Sequence, residues 1–517
     1  MSKAKFHSLH LFFFAGFMLL LLVVPGLATT FTVNSTLDNE ADGCSAGVCT
    51  LREAISDAQA NPGADVIDIA VTGTVTLQST LPTITQSLTI NGPGANVLAV
   101  SGNNANRVFR IAAGGNVSIS GLKITGGRVT IADAVGAPYQ PGGAGLLVEN
   151  GATVTLSNVI VNANSSIEAN ESYLGVPGGG IYNAGTLTIN SSTVSNNTAL
   201  GGNLNYHPFA PPGGDARGAG IFNSGTLDII NSTVNGNVAQ GGKGAHNPAL
   251  TPGYPSAGGN GGNGQGGGIF NEGALTLSNS TVSGNEGYGG IGGDGADCAI
   301  FTANNGGAGG GGGNGIGGIF NQGSFTLSNS TVSSNSGFGR VGGFGGCSDN
   351  GVGGKGGNGG NGVGGILSSG STFDSTSSTI AFNSATAGQG GIGGIGTPNG
   401  ATGLPGSAVG GIDLATAAFR SSIVAGNTGV TIADLRGAVT SQGYNLIGKV
   451  DGATGFTQPT ELTGTNASPL NPQLDPLGDY GGATFTHRLK SNSPAIDKGK
   501  NFAQDSNGTP ILADQRG

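Results

Sequence analysis

The residues with the strongest chemical character lie near the C-terminus, where His487 and Arg488 stand together in the stretch THRLK. Asp475 and Asp497 lie in the same region. A polysaccharide lyase would need clustered carboxylates for calcium and a basic proton acceptor, and a hydrolase would need two carboxylates about 5–9.5 Å apart. We interpret these four residues as parts of a terminal cap, and the sequence predicts no catalytic residue.

Acidic residues are sparse in the central part of the chain. Asp228, Glu272 and Asp374 stand alone and occupy different phases of the repeat described below. The stretch GGIGGDGAD at 289–297 resembles a calcium-binding nonapeptide, but that motif works through tandem copies and it occurs once here. The sequence therefore predicts neither a metal nor another cofactor.

The central part is built from copies of one motif. The stretch GGGIFNEGALTLSNSTVSGN at 266–285 has counterparts at 178–197, 218–237 and 317–335. The isoleucines after the glycines recur every 40 to 50 residues, at Ile181, Ile221, Ile269, Ile319, Ile366 and Ile412. Self-similarity at such a period is typical of a solenoid.

Each copy contains short β-like runs, such as GIF, LTL and STV, separated by turn residues. Runs this short need pairing with the same runs in the next copy, about 4.8 Å away. The sequence therefore predicts an all-β protein, a right-handed parallel β-helix. Two inward columns are expected, Leu187, Leu227, Leu275 and Phe325 in one and Val194, Val234, Val282 and Val332 in the other.

Asparagine and glycine also repeat in fixed phases. Stacked asparagines can hydrogen-bond from coil to coil, so we predict a structural ladder of Asn183, Asn223, Asn271 and Asn321. Glycines two residues further along suggest a corner with positive φ, at Gly185, Gly225, Gly273 and Gly323.

Glycine-rich segments such as GGNGGNGQGGG connect the copies as loops. Their G-G-x rhythm is compatible with extended glycine helices packed side by side, and flexible coil is the alternative.

Four cysteines, Cys44, Cys49, Cys298 and Cys347, favour disulfides over zinc because no histidine stands near a cysteine pair. Cys298 and Cys347 occupy nearly the same phase of consecutive loops, which predicts a bond between them and a local Cys44–Cys49 bond. Two free thiols at 298 and 347 are the alternative.

The N-terminus reads as an export signal over residues 1–28. Lysines precede the apolar run LFFFAGFMLLLLVV, and Gly26-Leu27-Ala28 is a small-residue cleavage site, so the mature chain is expected to begin at Thr29. An uncleaved membrane anchor is the alternative. No later segment is apolar enough to span a membrane. The net charge of −9 and the 9% content of charged residues argue against nucleic-acid binding.

The stretch CTLREAISDAQANPG after residue 48 predicts a short capping helix. Thr50 and Glu53 have capping-box spacing, and Asn61-Pro62-Gly63 ends the run. The expected organisation is an N-terminal cap at 29–65, a β-helix with glycine-rich insertions at 66–448 and a C-terminal segment at 449–517.

This N-terminal stretch resembles the CSLREA domain of bacterial surface proteins, with Thr50 in place of the serine. The C-terminal segment resembles the choice-of-anchor Q family in SSIVAGN, GYNLIG, NPQLDPLGDYGGATFTHRL, SPAID and DQRG. The coils are also similar, more weakly, to those of chlamydial polymorphic outer-membrane proteins. Members of the anchor family continue beyond DQRG, whereas this sequence ends at Gly517, which leaves the means of attachment open.

The resemblance implies an exported β-helix at the bacterial cell surface or in the medium. The functional prediction is a structural or adhesive protein that binds glycans or surface proteins. The alternative is a carbohydrate-active enzyme, a polysaccharide lyase or glycoside hydrolase, on the same scaffold. The oligomeric state and the ligand stay open.

Overall fold

The computed structural model describes residues 27–39, 43–44, 47–131, 142–169, 175–205, 209–247, 257–296, 305–370, 372–502, 504, 508, 510–511 and 513–516. The chain forms a right-handed parallel β-helix, which confirms the predicted fold class. The strands form four parallel sheets, A to D. A central coil contributes Gly315–Ile316 to sheet D, Ile319–Asn321 and Ser324–Ser328 to sheet A, Thr331–Ser333 to sheet B and Ser336–Phe338 to sheet C. Each strand pairs in parallel with its counterpart in the next coil.

Sheet A, the largest, receives two strands from each central coil. Its strands are Thr30–Val33, Asp65–Ile69, Leu88–Asn91, Phe109–Ile111, Asn116–Ser120, Leu146–Val148, Thr153–Ser157, Ile181–Asn183, Thr186–Asn190, Ile221–Asn223, Thr226–Ile230, Ile269–Asn271, Ala274–Ser278, Ile319–Asn321, Ser324–Ser328, Ile366–Ser368, Thr372–Thr376, Ile412–Arg420, Leu435–Ser441 and Gly452–Thr454.

The other three sheets receive one short strand from each coil that they cross. Sheet B contains Gly73–Thr76, Leu98–Ser101, Lys123–Thr125, Ile160–Asn162, Thr193–Ser195, Thr233–Asn235, Thr281–Ser283, Thr331–Ser333, Thr379–Ala381, Ile423–Ala425, Leu446–Ile447 and Leu462–Thr463. Sheet C contains Arg128–Ile131, Ser165–Glu168, Thr198–Leu200, Val238–Gln240, Glu286–Tyr288, Ser336–Phe338, Ser384–Thr386 and Thr428–Gly429. Sheet D contains Val176–Pro177, Ala216–Arg217, Gly264–Gln265, Gly315–Ile316, Gly362–Val363 and Ala408–Val409.

The core is a set of apolar columns along the axis. Leu227 pairs in register with Leu275, and Val234 with Val282, so equivalent side chains of successive coils stack inside the helix. Both predicted columns are buried over their whole length. Neighbouring residues such as Thr276 point outward and are half-exposed.

The glycines of the repeat are explained by the close approach of the backbone of the preceding coil. The predicted positive φ at these positions is wrong. Gly225, Gly273 and Gly323 lie outside the left-handed region. A Cβ atom at Gly273 would lie 2.0 Å from the carbonyl oxygen of Gly225 in the preceding coil, so a side chain has no room. The left-handed corner is at Asn279, six residues after Gly273, with φ of 50°.

The described glycine-rich loops are ordered as a two-layered slab, which decides between the two alternatives left open above. The layer leaving sheet C includes 241–247, 289–296, 339–348 and 387–396, and the returning layer includes 257–263, 306–314, 353–361 and 400–407. In the G-G-x triplets that have the loop of a following coil beside them, one N–H group bonds within the layer and one bonds across it. The N–H of Gly342 donates to the carbonyl of Gln389 in its own layer (3.0 Å), and that of Gly343 donates to the carbonyl of Gly310 in the other (2.8 Å). The three-residue period is that of polyproline II.

A helix, Leu51–Ala60, covers the first coil as the sequence predicts. Thr50 and Glu53 form the capping box, and Leu51 and Ile55 are buried in the core. The strand Thr30–Val33 of the cap pairs with Asp65–Ile69. The predicted leader lies almost entirely outside the described residues. In the part of the chain that the structure describes, no helix is both long and apolar enough for a membrane crossing.

Candidate functional site

The C-terminal segment folds back along the outer face of sheet B. It contains a hairpin at 474–489, closed by antiparallel bridges from Leu474 to Leu489 and from Gly478 to Thr486, and a tail at 513–516. We call the hairpin and the tail together the strap. The predicted terminal cap is therefore a lateral cover that runs across several coils of the solenoid.

Gln515, from the DQRG motif, holds the strap to the sheet. Its Nε2 donates to the Oγ1 atoms of Thr281 and Thr484 (both 2.9 Å) and to the carbonyl of Ser280 (3.2 Å). Its Oε1 accepts from Thr331 Oγ1 at 2.7 Å. The amide thus joins two successive coils to both parts of the strap.

The strap changes the environment of the threonine column that it covers. Thr281 and Thr331 are 1% and 0% exposed, whereas Thr193 and Thr233 occupy the same column and are only half-buried. Thr281 Oγ1 donates to the carbonyl of Phe485, and Thr331 Oγ1 lies 3.1 Å from Thr486 Oγ1. The burial of these hydroxyls is therefore matched by hydrogen bonds.

His487 is also a structural part of the strap. One ring nitrogen, Nε2, lies 2.8 Å from Ser333 Oγ, and Nδ1 lies 2.8 Å from the carbonyl oxygen of Asp475. Its ring lies against that of Phe382, with 5.1 Å between the centroids. Burial lowers the pKa of His487, and the bond to the Asp475 carbonyl opposes this shift.

The other two residues of the predicted C-terminal group have different surroundings. Arg488 forms an ion pair with the Asp475 carboxylate (2.7 Å), so the structure brings His487, Arg488 and Asp475 together. Asp497 is exposed in a turn with φ of 57°, outside this group.

A cleft of about 440 Å³ opens beside the strap, a size within the usual range for ligand pockets. Ser377 and Thr379, from one coil, lie on its floor and are half-exposed. Three cationic residues line it, Arg488, Lys500 and Arg516, together with one carboxylate, Asp514. We call it the cationic cleft. Its hydroxyl floor and basic rim are suited to a polar, negatively charged ligand.

Two of these cations form ion pairs within the described residues, and the third differs from them. Arg516 pairs with Asp514, and Arg488 with Asp475. Lys500 forms no ion pair with any carboxylate of the described residues, and its ammonium lies over the rings of Tyr444 and Phe502 at 5.8 and 5.4 Å.

A second cleft, of about 390 Å³, lies on the other side of the tail. The coils contribute serine and asparagine side chains to its lining, including Asn231, Ser278 and Ser328, and the C-terminal segment contributes the rest, with Asp514 as the charged residue. The two clefts thus share polar walls and differ in charge.

The predicted asparagine ladder is present in the structure. Each Nδ2 donates to the Oδ1 of the next coil at 2.7 Å from Asn183 to Asn223, from Asn223 to Asn271 and from Asn271 to Asn321. These side chains are buried within the solenoid, so they stabilise the stack and present nothing to a ligand.

A second, longer ladder has the same chemistry and was missed from the sequence. Its members follow the valine column by three residues and bond at 2.9–3.0 Å; they are Asn164, Asn197, Asn237, Asn285, Asn335, Asn383 and Asn427. The spacing from Val194 to Asn197, repeated in each copy, was the available signal. The ladder ends on Asp434, which accepts a hydrogen bond from Asn427. Burial raises the pKa of Asp434, and the hydrogen bonds from Asn427 offset part of this rise.

The LREA stretch forms a structural clamp in the N-terminal cap. Arg52 pairs with Asp38 through two hydrogen bonds of 2.8 and 2.9 Å, and it also donates to the carbonyls of Ser79 and Thr80 in the next turn. Both charged side chains are buried. A Cys44–Cys49 disulfide closes the loop before the helix, as in proteins of oxidising compartments.

The remaining cysteine prediction falls partly outside the described residues. Cys347 is exposed on the slab, and Cys298 is not described, so the bond between them stays a prediction. Among the described residues, no three or more His, Cys, Asp or Glu side chains are grouped so that they could hold a metal ion. Asp294 of the calcium-like stretch instead accepts the N–H of Phe344 in the next coil at 2.8 Å.

No family model and no curated protein matches this chain. Among solved structures it is similar to the pectate lyase Pel9A, at 12% sequence identity and a TM-score of 0.37, over 90% of each chain. Nothing about the chemistry of this chain follows from that likeness.

Proposed function

We propose that this chain is an exported structural or adhesive protein of the cell surface or the medium, and that it binds acidic glycans in the cationic cleft. The cleft itself carries the proposal, because it combines hydroxyl groups of the coils with the ammonium of Lys500, which pairs with no carboxylate of the described residues. Hydroxyl groups bind sugar hydroxyls, and a cation at the rim binds a carboxylate or sulfate.

Several other observations support this proposal. The solenoid forms an uninterrupted set of parallel sheets with buried polar ladders, as expected of a rigid display scaffold. The Cys44–Cys49 disulfide and the apolar N-terminal stretch favour export. The resemblance to CSLREA and choice-of-anchor Q proteins points to the same location.

The test compares binding of polygalacturonate, an acidic polymer, with binding of amylose, a neutral one. We expect measurable binding of polygalacturonate that weakens as salt is added, and an about tenfold loss for Lys500→Glu. Lys490→Glu is the matched control, because Lys490 is exposed directly after the hairpin and outside the cleft lining. It should change the affinity less than about twofold.

The same samples distinguish the competing functions. Equal binding of both polymers would still support an adhesive protein, but it would refute a role for the charge of the ligand in binding. New reducing ends or unsaturated uronates in the incubated polymer would assign the enzyme alternative instead. If no glycan in a broader panel is bound, the adhesive proposal fails.

A further inference from the structure

Asp65 is a buried carboxylate, and one of its oxygens has no partner among the described residues. It begins the strand Asp65–Ile69 and is 1% exposed. Its Oδ1 accepts the backbone N–H of Thr29 at 2.7 Å. Its Oδ2 is inaccessible to solvent and has no hydrogen bond in the described part of the protein. A buried carboxylate needs more than one neutral donor, because leaving it uncompensated costs several kcal/mol in general.

The missing donors would be supplied at the atom that Asp65 already contacts. A backbone amide at Thr29 offers a single N–H and no charge. A free α-amino group at the same nitrogen offers three N–H donors and a positive charge, which suits both oxygens of a carboxylate.

The pairing of the first strand also begins at this residue. Leu27 is 91% exposed, and Ala28 is exposed as well. The carbonyl of Thr29 accepts the N–H of Val66 at 2.8 Å and so starts the pairing of sheet A. The sequence Gly26-Leu27-Ala28 has the small-residue form of a leader cleavage site.

We propose that the Ala28–Thr29 bond is cleaved and that the new α-ammonium of Thr29 forms an ion pair with Asp65, which locks the first strand onto the β-helix. A leader-cleaving protease of the exporting cell adds water across the peptide bond. The hydroxyl group goes to the carbonyl carbon of Ala28, and the proton goes to the nitrogen of Thr29. The new Ala28 carboxylic acid then loses its proton to water, and the Thr29 amine takes up a proton to become the ammonium. The cleavage in the cell rests on the export proposed above, whereas the ion pair rests on the geometry of Asp65.

The experiment compares two forms of the protein, each with Asp65 and with Asp65→Asn. The processed form is exported with its own leader, and the extended form is made without the leader but with Met-Ala before Thr29. We expect the processed form to begin at Thr29. Asp65→Asn should lower its melting temperature at least twice as much as that of the extended form, because only the processed form contains the pair.

A second readout reports the charge directly. An opposite charge at hydrogen-bond distance favours the protonated amine, so acylation of the Thr29 amine at pH 7 should be about tenfold faster in the Asp65→Asn variant. Asp68→Asn, an exposed aspartate of the same strand, is the matched control and should leave both readouts unchanged. Equal losses in the two forms, or an acylation rate that Asp65→Asn does not change, would overturn the ion pair.

Failure of export is recognised separately. A chain that stays in the cytosol with its leader would contradict the proposed location. The ion pair would then be tested on protein whose Thr29 amine is freed in vitro by a site-specific protease. The melting temperature and the acylation rate would decide it in the same way. An exported chain that begins at a residue other than Thr29 would refute the cleavage.

Discussion

The side-chain amide of Gln515 is the clearest case in which one residue joins distant parts of the chain. It bonds to Thr281 and Thr331 from two successive coils and to Thr484 of the hairpin. Each of its donors and its acceptor oxygen has a partner in a buried place, where an unmatched polar group would be costly. The DQRG motif therefore has a structural explanation at its glutamine.

We expect the attachment of the strap to depend on pH through His487. Its pKa is lowered from the ordinary value of 6.5 by burial, so the unfolded chain binds more protons than the folded chain just below that pH. The stability contributed by neutral His487 is present above pH 6.5 and is lost as the pH falls through the folded pKa.

We therefore expect faster hydrogen exchange in residues 474–489 at pH 5.5 than at pH 7.5, after correction for the intrinsic rate. In His487→Gln the charged state cannot form, so this difference should shrink. A pH dependence that is the same in wild type and variant would show that another group controls the strap.

At the scale of elements, the glycine slab shows how a segment without regular α or β structure can be ordered. Its layers are held by backbone hydrogen bonds and by the absence of side chains at the contact. A Cβ atom at Gly357 would lie 1.9 Å from the carbonyl oxygen of Gly310 in the same layer. At Gly311, an outward position, the nearest atom to a Cβ would be Asn260 Oδ1 at 3.4 Å.

These two glycines give a matched pair of substitutions. Gly357→Ala should lower the free energy of unfolding by about 1–3 kcal/mol or open the slab locally, because backbone has to move. Gly311→Ala should be neutral or stabilising by up to about 1 kcal/mol, because alanine restricts the unfolded chain. Denaturant titration of both variants measures the contrast. Similar losses in both would mean that the layers are not packed through their glycines.

The sequence predicted the elements whose spacing repeats and missed those fixed by distant contacts. The phases of Leu275 and Val282 gave the core columns, because a parallel β-helix keeps each repeat in register. The position of the strap depends on contacts such as that of Thr281 with Phe485, more than two hundred residues away, and no local pattern encodes it. The glycine prediction at Gly273 failed for a related reason, since close approach to the preceding coil and positive φ both select glycine.

At the scale of the whole molecule, each coil contacts mainly its neighbours. The stability of each coil is therefore expected to depend on itself and on the adjacent coils. The N-terminal end is closed by the cap helix and by the buried Arg52–Asp38 pair. The strap instead stabilises coils near the other end by crossing them on the outside. Damage at one end should therefore leave the other end folded.

Substitution of Arg52 tests this independence of the two ends. Arg52→Ala leaves Asp38 buried without its partner, which should cost about 3–5 kcal/mol in the first coils. Hydrogen exchange should accelerate in residues 47–77 and stay unchanged in residues 281–332, because few contacts connect these regions.

Arg110→Ala is the matched control. It removes an ion pair with Glu149 whose side chains are 45% and 29% exposed, so it should cost less than about 1 kcal/mol. Acceleration of exchange along the entire solenoid in Arg52→Ala would instead mean that the protein unfolds as one cooperative unit.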